Sequence, residues 1–233
     1  MSKPLAVIVG VGSGLSASLA RVLSDAGYDL LLTARNTGKI AELAAETGAR
    51  VAAMDASDPA GVAGVFEDLP AAPRVVIYNP SARVRGPIAE LDPDEVRAAV
   101  EVTAFGAFLT GQAAARLMLA SEGDVRGTIL FTGASAGVKG FANSAPFAMG
   151  KFAQRGLAQA MARELHPKGI HVAWVNIDGG IRNPLRPERV DAADNPDSML
   201  CPDAIARAYL GLIEQDRSAW SDELTLRPWV ETF

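Results

Sequence analysis

The sequence has few cysteines, few histidines and no run of basic residues, and these absences exclude several kinds of function. A single cysteine, Cys201, rules out an intrachain disulfide and fits a reducing compartment. The two histidines have no neighbouring ligand residues, so no metal site is expected. A net charge of −5 without a stretch of Lys or Arg argues against a nucleic-acid-binding surface.

A long hydrophobic run is also missing from the start of the sequence. The apolar run at 5–9 is too short to form the core of a signal peptide or to span a membrane. We therefore expect a soluble, cytoplasmic protein that does not bind a membrane and that acts on a small molecule.

The sequence instead shows a regular alternation of short apolar runs with amphipathic stretches. Hydrophobic residues make up 49% of the 233 residues, which is enough for one large core. The spacing predicts strands at 5–9, 29–33, 50–54, 75–78, 127–132, 171–177 and 224–226, and helices at 15–26, 37–47, 59–68, 93–122, 144–166 and 202–215. Nearly all of the strands are apolar throughout, which is typical of a parallel sheet with helices on both faces.

This alternation predicts a doubly wound α/β protein with a single domain over residues 1–233 and about seven strands. The segment 183–202 is rich in Pro and Asp and is the one long irregular region. It is either a lid over a substrate site or a surface loop, and its position alone favours neither.

A glycine-rich loop joins the first predicted strand to the first helix. Its sequence, from Gly10 to Ser16, reads GVGSGLS, with glycine also at 12 and 14. Small residues let the backbone turn sharply and approach a pyrophosphate, whose charge the free N–H groups of the helix start would face. The alternative is a tight turn with no ligand, but the position after the first strand favours dinucleotide binding.

The end of the second predicted strand indicates which dinucleotide is bound. An acidic residue here would hold the ribose 2′-hydroxyl of NAD, but the sequence Thr33-Ala34-Arg35-Asn36 has no carboxylate. Arg35 is able to pair with a 2′-phosphate, so NADP(H) is favoured over NAD(H). The alternative is a solvated arginine at the end of a strand.

These features together resemble the short-chain dehydrogenase/reductase family over nearly the full length of the chain. The resemblance implies a Rossmann-type fold and a role in cofactor binding for Gly10, Gly12, Ser13, Gly14, Leu15, Arg35, Asp55, Asn79, Lys151, Gly179 and Ile181. The sequence departs from the family pattern at Val9 (usually Thr), at Ser16 (usually Gly) and at Asp178 (usually Pro). Asp178 either caps a turn or interacts with a polar or cationic substrate.

The same resemblance implies a damaged catalytic set. The family uses a tyrosine as proton donor, and here Phe147 stands at that position, four residues before Lys151. Thr103 replaces an asparagine that supports a water relay in the family. Ala134 aligns with the substrate-binding serine, and Ser135, one residue away, either replaces that serine or only caps or fills the strand end. Lys151 is either a clamp on the ribose or an exposed lysine of the helix.

Three functions fit this pattern. The first is an NADP(H)-dependent oxidoreductase with altered proton donation, acting on a carbonyl, an imine or an activated alkene. The second is a catalytically inactive NADP(H)-binding sensor or partner protein, and the third is a non-redox enzyme, such as a lyase, on the same fold. The resemblance also implies a homodimer or homotetramer that forms through the long helices.

Overall fold

The computed structural model describes residues 3–183, 185–191 and 193–231. The strands are β1 Leu5–Val9, β2 Asp29–Ala34, β3 Arg50–Ala53, β4 Val75–Tyr78, β5 Gly127–Thr132, β6 Ile170–Ile177, β7 Gly180–Ile181, β8 Met199–Leu200 and β9 Glu223–Leu226. The helices are α1 Leu15–Asp25, α2 Ala41–Thr47, α3 Pro59–Glu67, α4 Pro93–Val100, α5 Gly106–Leu119, α6 Ala145–Leu165 and α7 Pro202–Ile213.

Seven of the strands form one parallel sheet in the order β3-β2-β1-β4-β5-β6-β9. This arrangement confirms the predicted single-domain, doubly wound fold. The chain reverses its direction of travel across the sheet between β1 and β4. In open α/β sheets, ligands bind at such a point, in the crevice outside the carboxyl ends of the strands.

The two faces of the sheet carry separate apolar cores because successive side chains of a strand point to opposite faces. Ala6 and Ile8 of β1 pack with α1 and α7, for example against Leu19 and Ile205. Val7 of β1 instead belongs to the core on the other face, formed with α3, α5 and α6. Burial on both faces explains why the strands are apolar throughout.

The predicted helix at 93–122 ends earlier and is not uniform. It runs as α4, a π-helical segment at Glu101–Phe105, and α5, which ends at Leu119. By length and composition alone this helix could cross a membrane, as can the core helices of soluble proteins. Here α5 packs on the sheet through Ala107, Ala114 and Met118, which assigns it to the core of a soluble-type fold.

The segment predicted to be irregular, 183–202, contains short regular elements. A 3₁₀ turn spans Pro187–Arg189, and β8 pairs with β7 in a small parallel sheet. Pro184 and Ala192 lie outside the described residues. Asp191 holds the segment together, since it accepts a hydrogen bond from Met199 N at 2.9 Å and pairs with Arg182. Its role as a lid stays a prediction.

Candidate functional site

A cleft of about 680 Å³ lies at the carboxyl ends of the central strands. Its walls come from the β1–α1 loop, the ends of β2, β4 and β5, helix α6, and residues Ile177, Gly179, Ile181, Asn183, Arg186 and Arg189. The cleft therefore lies between β1 and β4, the point where the strand order reverses and where the fold is expected to bind ligands.

The glycine loop forms one end of this cleft, and its conformation requires glycine at position 10. Gly10 has a φ of +77°, and a Cβ there would lie 2.4 Å from Pro80 Cγ. The N–H groups of Gly10 and Val11 both donate to Thr33 O, at 3.0 and 2.8 Å. The loop is therefore folded back onto β2, and its next residues project into the cleft.

Among the described residues, no side chain caps the start of helix α1. Gly14 occupies the N-cap position without a side-chain hydrogen bond, and the first turn has no acidic residue. Within the described chain, no acceptor faces the N–H groups of Gly12, Ser13 and Gly14. A Cβ at Gly12 would meet no atom within 4 Å. Free amides at an open helix N-terminus fit a bound diphosphate, so this end of the cleft fits a dinucleotide.

Ser16 connects the glycine loop to the end of β4. Asn79 Nδ2 donates to Ser16 Oγ at 2.6 Å, and Ser16 Oγ donates to Gly10 O at 3.2 Å. Asn79 N also donates to Val9 O at 3.1 Å. The serine that replaces a glycine of the family pattern therefore fixes the loop through its side chain.

Arg35 and Asp55 line the cleft beyond the glycine loop. The hydroxyl of Ser57 donates to Asp55 Oδ1 at 2.6 Å and its amide donates to the same atom at 2.9 Å. These hydrogen bonds from Ser57, with a smaller effect of the Arg35 charge, lower the pKa of Asp55. Asp55 is therefore an ionised hydrogen-bond acceptor, and Arg35 is exposed for a ligand phosphate.

Lys151 lies at the opposite end of the cleft and is 2% exposed, so the alternative of an exposed helix lysine is wrong. Its Nζ donates to Thr132 O and to Gln154 Oε1, the latter at 3.2 Å. Gln154 Nε2 in turn donates to Thr103 O at 3.3 Å. Burial, together with the positive charge of Arg83, lowers the pKa of Lys151 to about 7.

Phe147, one turn before Lys151 on α6, is buried at the wall of the cleft. The guanidinium carbon of Arg83 lies 4.2 Å from the centroid of its ring. This is a cation–π contact, in which the ring face attracts the positive charge. The residue predicted to replace the catalytic tyrosine therefore has no hydroxyl to donate, but it holds a cation in the cleft.

Among the described residues, the two remaining predicted catalytic residues, Ser135 and Thr103, are not part of the lining of the cleft. Ser135 begins a 3₁₀ turn at Ser135–Gly137, and among the described residues Ala134, not Ser135, lines the cleft. Thr103 is fully buried in the π-helical segment, where its Oγ1 accepts a hydrogen bond from Ala82 N at 3.1 Å. Asp178 pairs with Arg227 at 3.3 Å, which favours a structural role.

The residues predicted to bind the cofactor all line this one cleft: Gly10, Gly12, Ser13, Gly14, Leu15, Arg35, Asp55, Asn79, Lys151, Gly179 and Ile181. Three further arginines of its walls, Arg83, Arg186 and Arg189, were not predicted from the sequence. The only available signal for Arg83 was its place shortly after the polar turn that follows β4. Arg186 and Arg189 lie in the segment that was predicted to be a lid or a surface loop.

Comparison with known proteins identifies the family. The family model for the short chain dehydrogenases matches residues 4–191. L-2,3-butanediol dehydrogenase of Corynebacterium glutamicum is 29% identical over 182 residues, which cover 72% of this chain and 68% of that protein.

Solved structures agree with this family match. A short-chain dehydrogenase from Rhodopseudomonas palustris is 34% identical, with a TM-score of 0.78 over 96% of this chain and 99% of that one. A metagenomic short-chain oxidoreductase in complex with NADP is 26% identical, with a TM-score of 0.82 over 99% of each chain. This chain therefore belongs to the short-chain dehydrogenase family of oxidoreductases.

Proposed function

We propose that the protein is an NADP(H)-dependent oxidoreductase that acts on a small molecule without a tyrosine proton donor. The observation that carries this proposal is the single cleft that joins the uncapped start of α1 and Arg35 to Lys151. The NADP complex of the 26% identical relative supports the choice of cofactor. When bound, NADP(H) supplies or accepts the hydride.

The residues of the chain have distinct tasks in this proposal. The amides of Gly12–Gly14 bind the diphosphate, and the guanidinium of Arg35 binds the 2′-phosphate. Asp55 accepts hydrogen bonds at the adenosine end. Lys151 holds the ribose next to the nicotinamide, as the family resemblance implies, and its burial keeps it ordered.

Proton transfer differs from that of the family because Phe147 has no titratable group. Losing a general acid typically slows a reaction by about a hundred- to ten-thousand-fold. Reduction of an ordinary ketone is therefore expected to be slow, with water as the proton source. An iminium substrate accepts hydride without a proton, so imines and activated alkenes belong in any substrate search beside carbonyl compounds.

Turnover measurements on purified protein test this proposal. We expect NADPH oxidation, followed by its absorbance, with at least one member of a panel of ketones, imines and activated alkenes. The variant Phe147→Tyr restores a phenol at the wall of the cleft and is expected to raise ketone reduction by about a hundredfold. No turnover by either protein with any class, despite NADPH binding, would contradict the redox proposal.

The cation–π contact between Arg83 and Phe147 also suits a second candidate, an NADP(H)-binding sensor without catalysis. In that case position 147 anchors a guanidinium and has no part in chemistry. Tight NADPH binding in calorimetry, with no turnover before or after Phe147→Tyr, would favour the sensor.

Self-association through the long helices is a further part of the proposal. Phe105, Phe108, Met149 and Phe152 are large apolar residues that are exposed on or beside α5 and α6. Exposed apolar groups of this size are typical of interfaces. We expect a homodimer or homotetramer in light scattering, and a monomer would contradict this expectation. The cytoplasmic location stays a prediction.

A further inference from the structure

Three of the arginines that line the cleft, Arg83, Arg186 and Arg189, have no task in the cofactor binding proposed above. The lining of the cleft includes Arg35, Arg83, Lys151, Arg186 and Arg189, although the whole chain has a net charge of −5. Among the described lining residues the only carboxylate is Asp55, which lies at the adenosine end, near Arg35. Of the remaining arginines, Arg83 contacts Phe147, and Arg189 is close enough for its charge to act on Arg83.

Two contacts help to fix the position of Arg83 in the cleft. The ring of Phe147 lies under its guanidinium, and the preceding residue, Ala82, donates its N–H to Thr103 Oγ1. Burial, together with the charges of Arg189 and Arg85, lowers the pKa of Arg83. The side chain nevertheless remains accessible from the cleft.

The nearby carboxylates are engaged by other arginines. Asp191 pairs with Arg182, and Asp178 pairs with Arg227. Within the described chain, neither Arg83 nor Arg189 forms an ion pair with an acidic residue. Two neighbouring guanidinium groups without a counter-charge repel each other, and a bound anion would relieve that repulsion.

We propose that Arg83 and Arg189 bind a carboxylate of the substrate, so that the protein acts on an oxo acid or on the corresponding hydroxy or imino acid. A guanidinium suits this task because its planar fork pairs with both oxygens of a carboxylate. The face of Phe147 orients Arg83 within the cleft. This inference rests on the proposed function, for which it names the substrate class.

The overall reaction balances without any further reactant. In the reductive direction, the carbonyl carbon of an oxo acid takes a hydride from NADPH and its oxygen takes a proton from water, so that a hydroxy acid, NADP⁺ and a hydroxide ion are formed. The carboxylate does not change during the reaction. It fixes the substrate while the neighbouring carbonyl carbon is reduced.

The competing explanation for these arginines is that they neutralise the cofactor diphosphate. The experiment therefore measures the cofactor and the anion separately, by calorimetry on the purified protein. The first titration is with NADP⁺ alone. The second is with malonate, or with its neutral analogue malonamide, added to protein saturated with NADP⁺. The proteins are the wild type, Arg83→Gln, Arg83→Lys and Arg207→Gln.

We expect malonate to bind to the wild type at least about tenfold more tightly than malonamide, since a charge-assisted contact is lost with the amide. Arg83→Gln is expected to weaken malonate binding by about ten- to a hundredfold and to leave NADP⁺ binding unchanged. Arg83→Lys keeps the charge and loses the planar fork, so its malonate affinity should lie between those of the wild type and Arg83→Gln. Arg207→Gln removes the same charge from an exposed position outside the cleft and should bind both ligands as the wild type does.

Two results would overturn the inference. Equal affinities for malonate and malonamide would show that the cleft has no carboxylate site. A loss of NADP⁺ affinity in Arg83→Gln, with unchanged malonate affinity, would assign the guanidinium to the cofactor. The absence of NADP⁺ binding by the wild type would instead contradict the proposed function itself. Circular dichroism and the Tm of each variant verify that these results come from folded protein.

Discussion

The two ends of the cleft are built by different means. At the glycine-loop end, the main features belong to the backbone: a positive φ at Gly10, free amides at Gly12–Gly14 and a helix start without a cap. At the other end, the features are side chains, namely Arg83, Phe147 and Lys151. A backbone site needs only small residues at fixed positions, whereas a side-chain site changes with each substitution. Family resemblance is therefore a firmer guide to the cofactor than to the chemistry.

The largest expected effect tests whether the glycine-loop end depends on its backbone. Gly10→Ala places a Cβ at 2.4 Å from Pro80 Cγ and forces alanine to adopt a φ of +77°. We expect it to lower the free energy of unfolding by about 2–5 kcal/mol. Thermal unfolding measures this loss directly.

Gly12→Ala is the matched control, because a Cβ at position 12 meets no atom within 4 Å. It should keep the wild-type Tm but weaken NADPH binding, since the new methyl group projects where the diphosphate is expected. Equal stability of the two variants would show that the turn at Gly10 is not the constraint described above.

The next largest effect concerns Arg35, the side chain at the glycine-loop end of the cleft on which the choice of cofactor is expected to depend. Arg35→Gln removes the only positive charge expected to face a 2′-phosphate. We expect NADPH affinity to fall by about ten- to a hundredfold while NADH affinity stays constant. Fluorescence titration with each cofactor gives both values. An equal fall for NADH would mean that Arg35 does not recognise the extra phosphate.

An effect that is smaller per pH unit tests the burial of Lys151 at the other end of the cleft. Because the pKa of Lys151 is lowered to about 7 in the folded protein, the unfolded chain binds more protons between pH 7 and 10. The contribution of Lys151 to stability therefore rises with pH across this window, by at most about 1.4 kcal/mol per pH unit, and is lost as the pH falls through 7. In Lys151→Met, the free energy of unfolding measured with denaturant should rise less steeply with pH than in the wild type. Parallel pH profiles of the two proteins would contradict the burial of Lys151.

The smallest effect concerns the connection between the glycine loop and β4. Ser16→Ala removes the acceptor for Asn79 Nδ2 and the donor to Gly10 O, and should cost about 1 kcal/mol of stability with a few-fold loss of NADPH affinity. Ser18→Ala is the control, because its hydroxyl bonds to Asp203 on α7 instead. If Ser18→Ala weakened NADPH binding as much as Ser16→Ala, the connection through Ser16 would have no special role.

The fold was predictable because its signals are local. Apolar strands such as β4 and β5 place most elements within a few residues of their observed bounds. The second helix differs because Asn36 accepts a hydrogen bond from Gly38 N and starts a 3₁₀ turn before α2. The π-helical segment at Glu101–Phe105 has no signature in the apolar spacing and was not predicted.

The chemistry of the site was less predictable because it depends on contacts between distant segments. Arg83 and Phe147 are far apart in sequence and meet only because the β4 loop and α6 border the same cleft. Lys151 likewise donates to the carbonyl of Thr132, which lies at the end of β5 and not on its own helix. A motif at regular spacing shows neither contact, so the sequence indicated a missing tyrosine but not the arginine above its replacement.

A titration of the purified protein with NADPH and with NADH tests the central claim most directly. The account predicts saturable binding of one NADPH per chain, with NADPH clearly tighter than NADH. No binding of NADPH at millimolar concentration, or a preference for NADH, would contradict it.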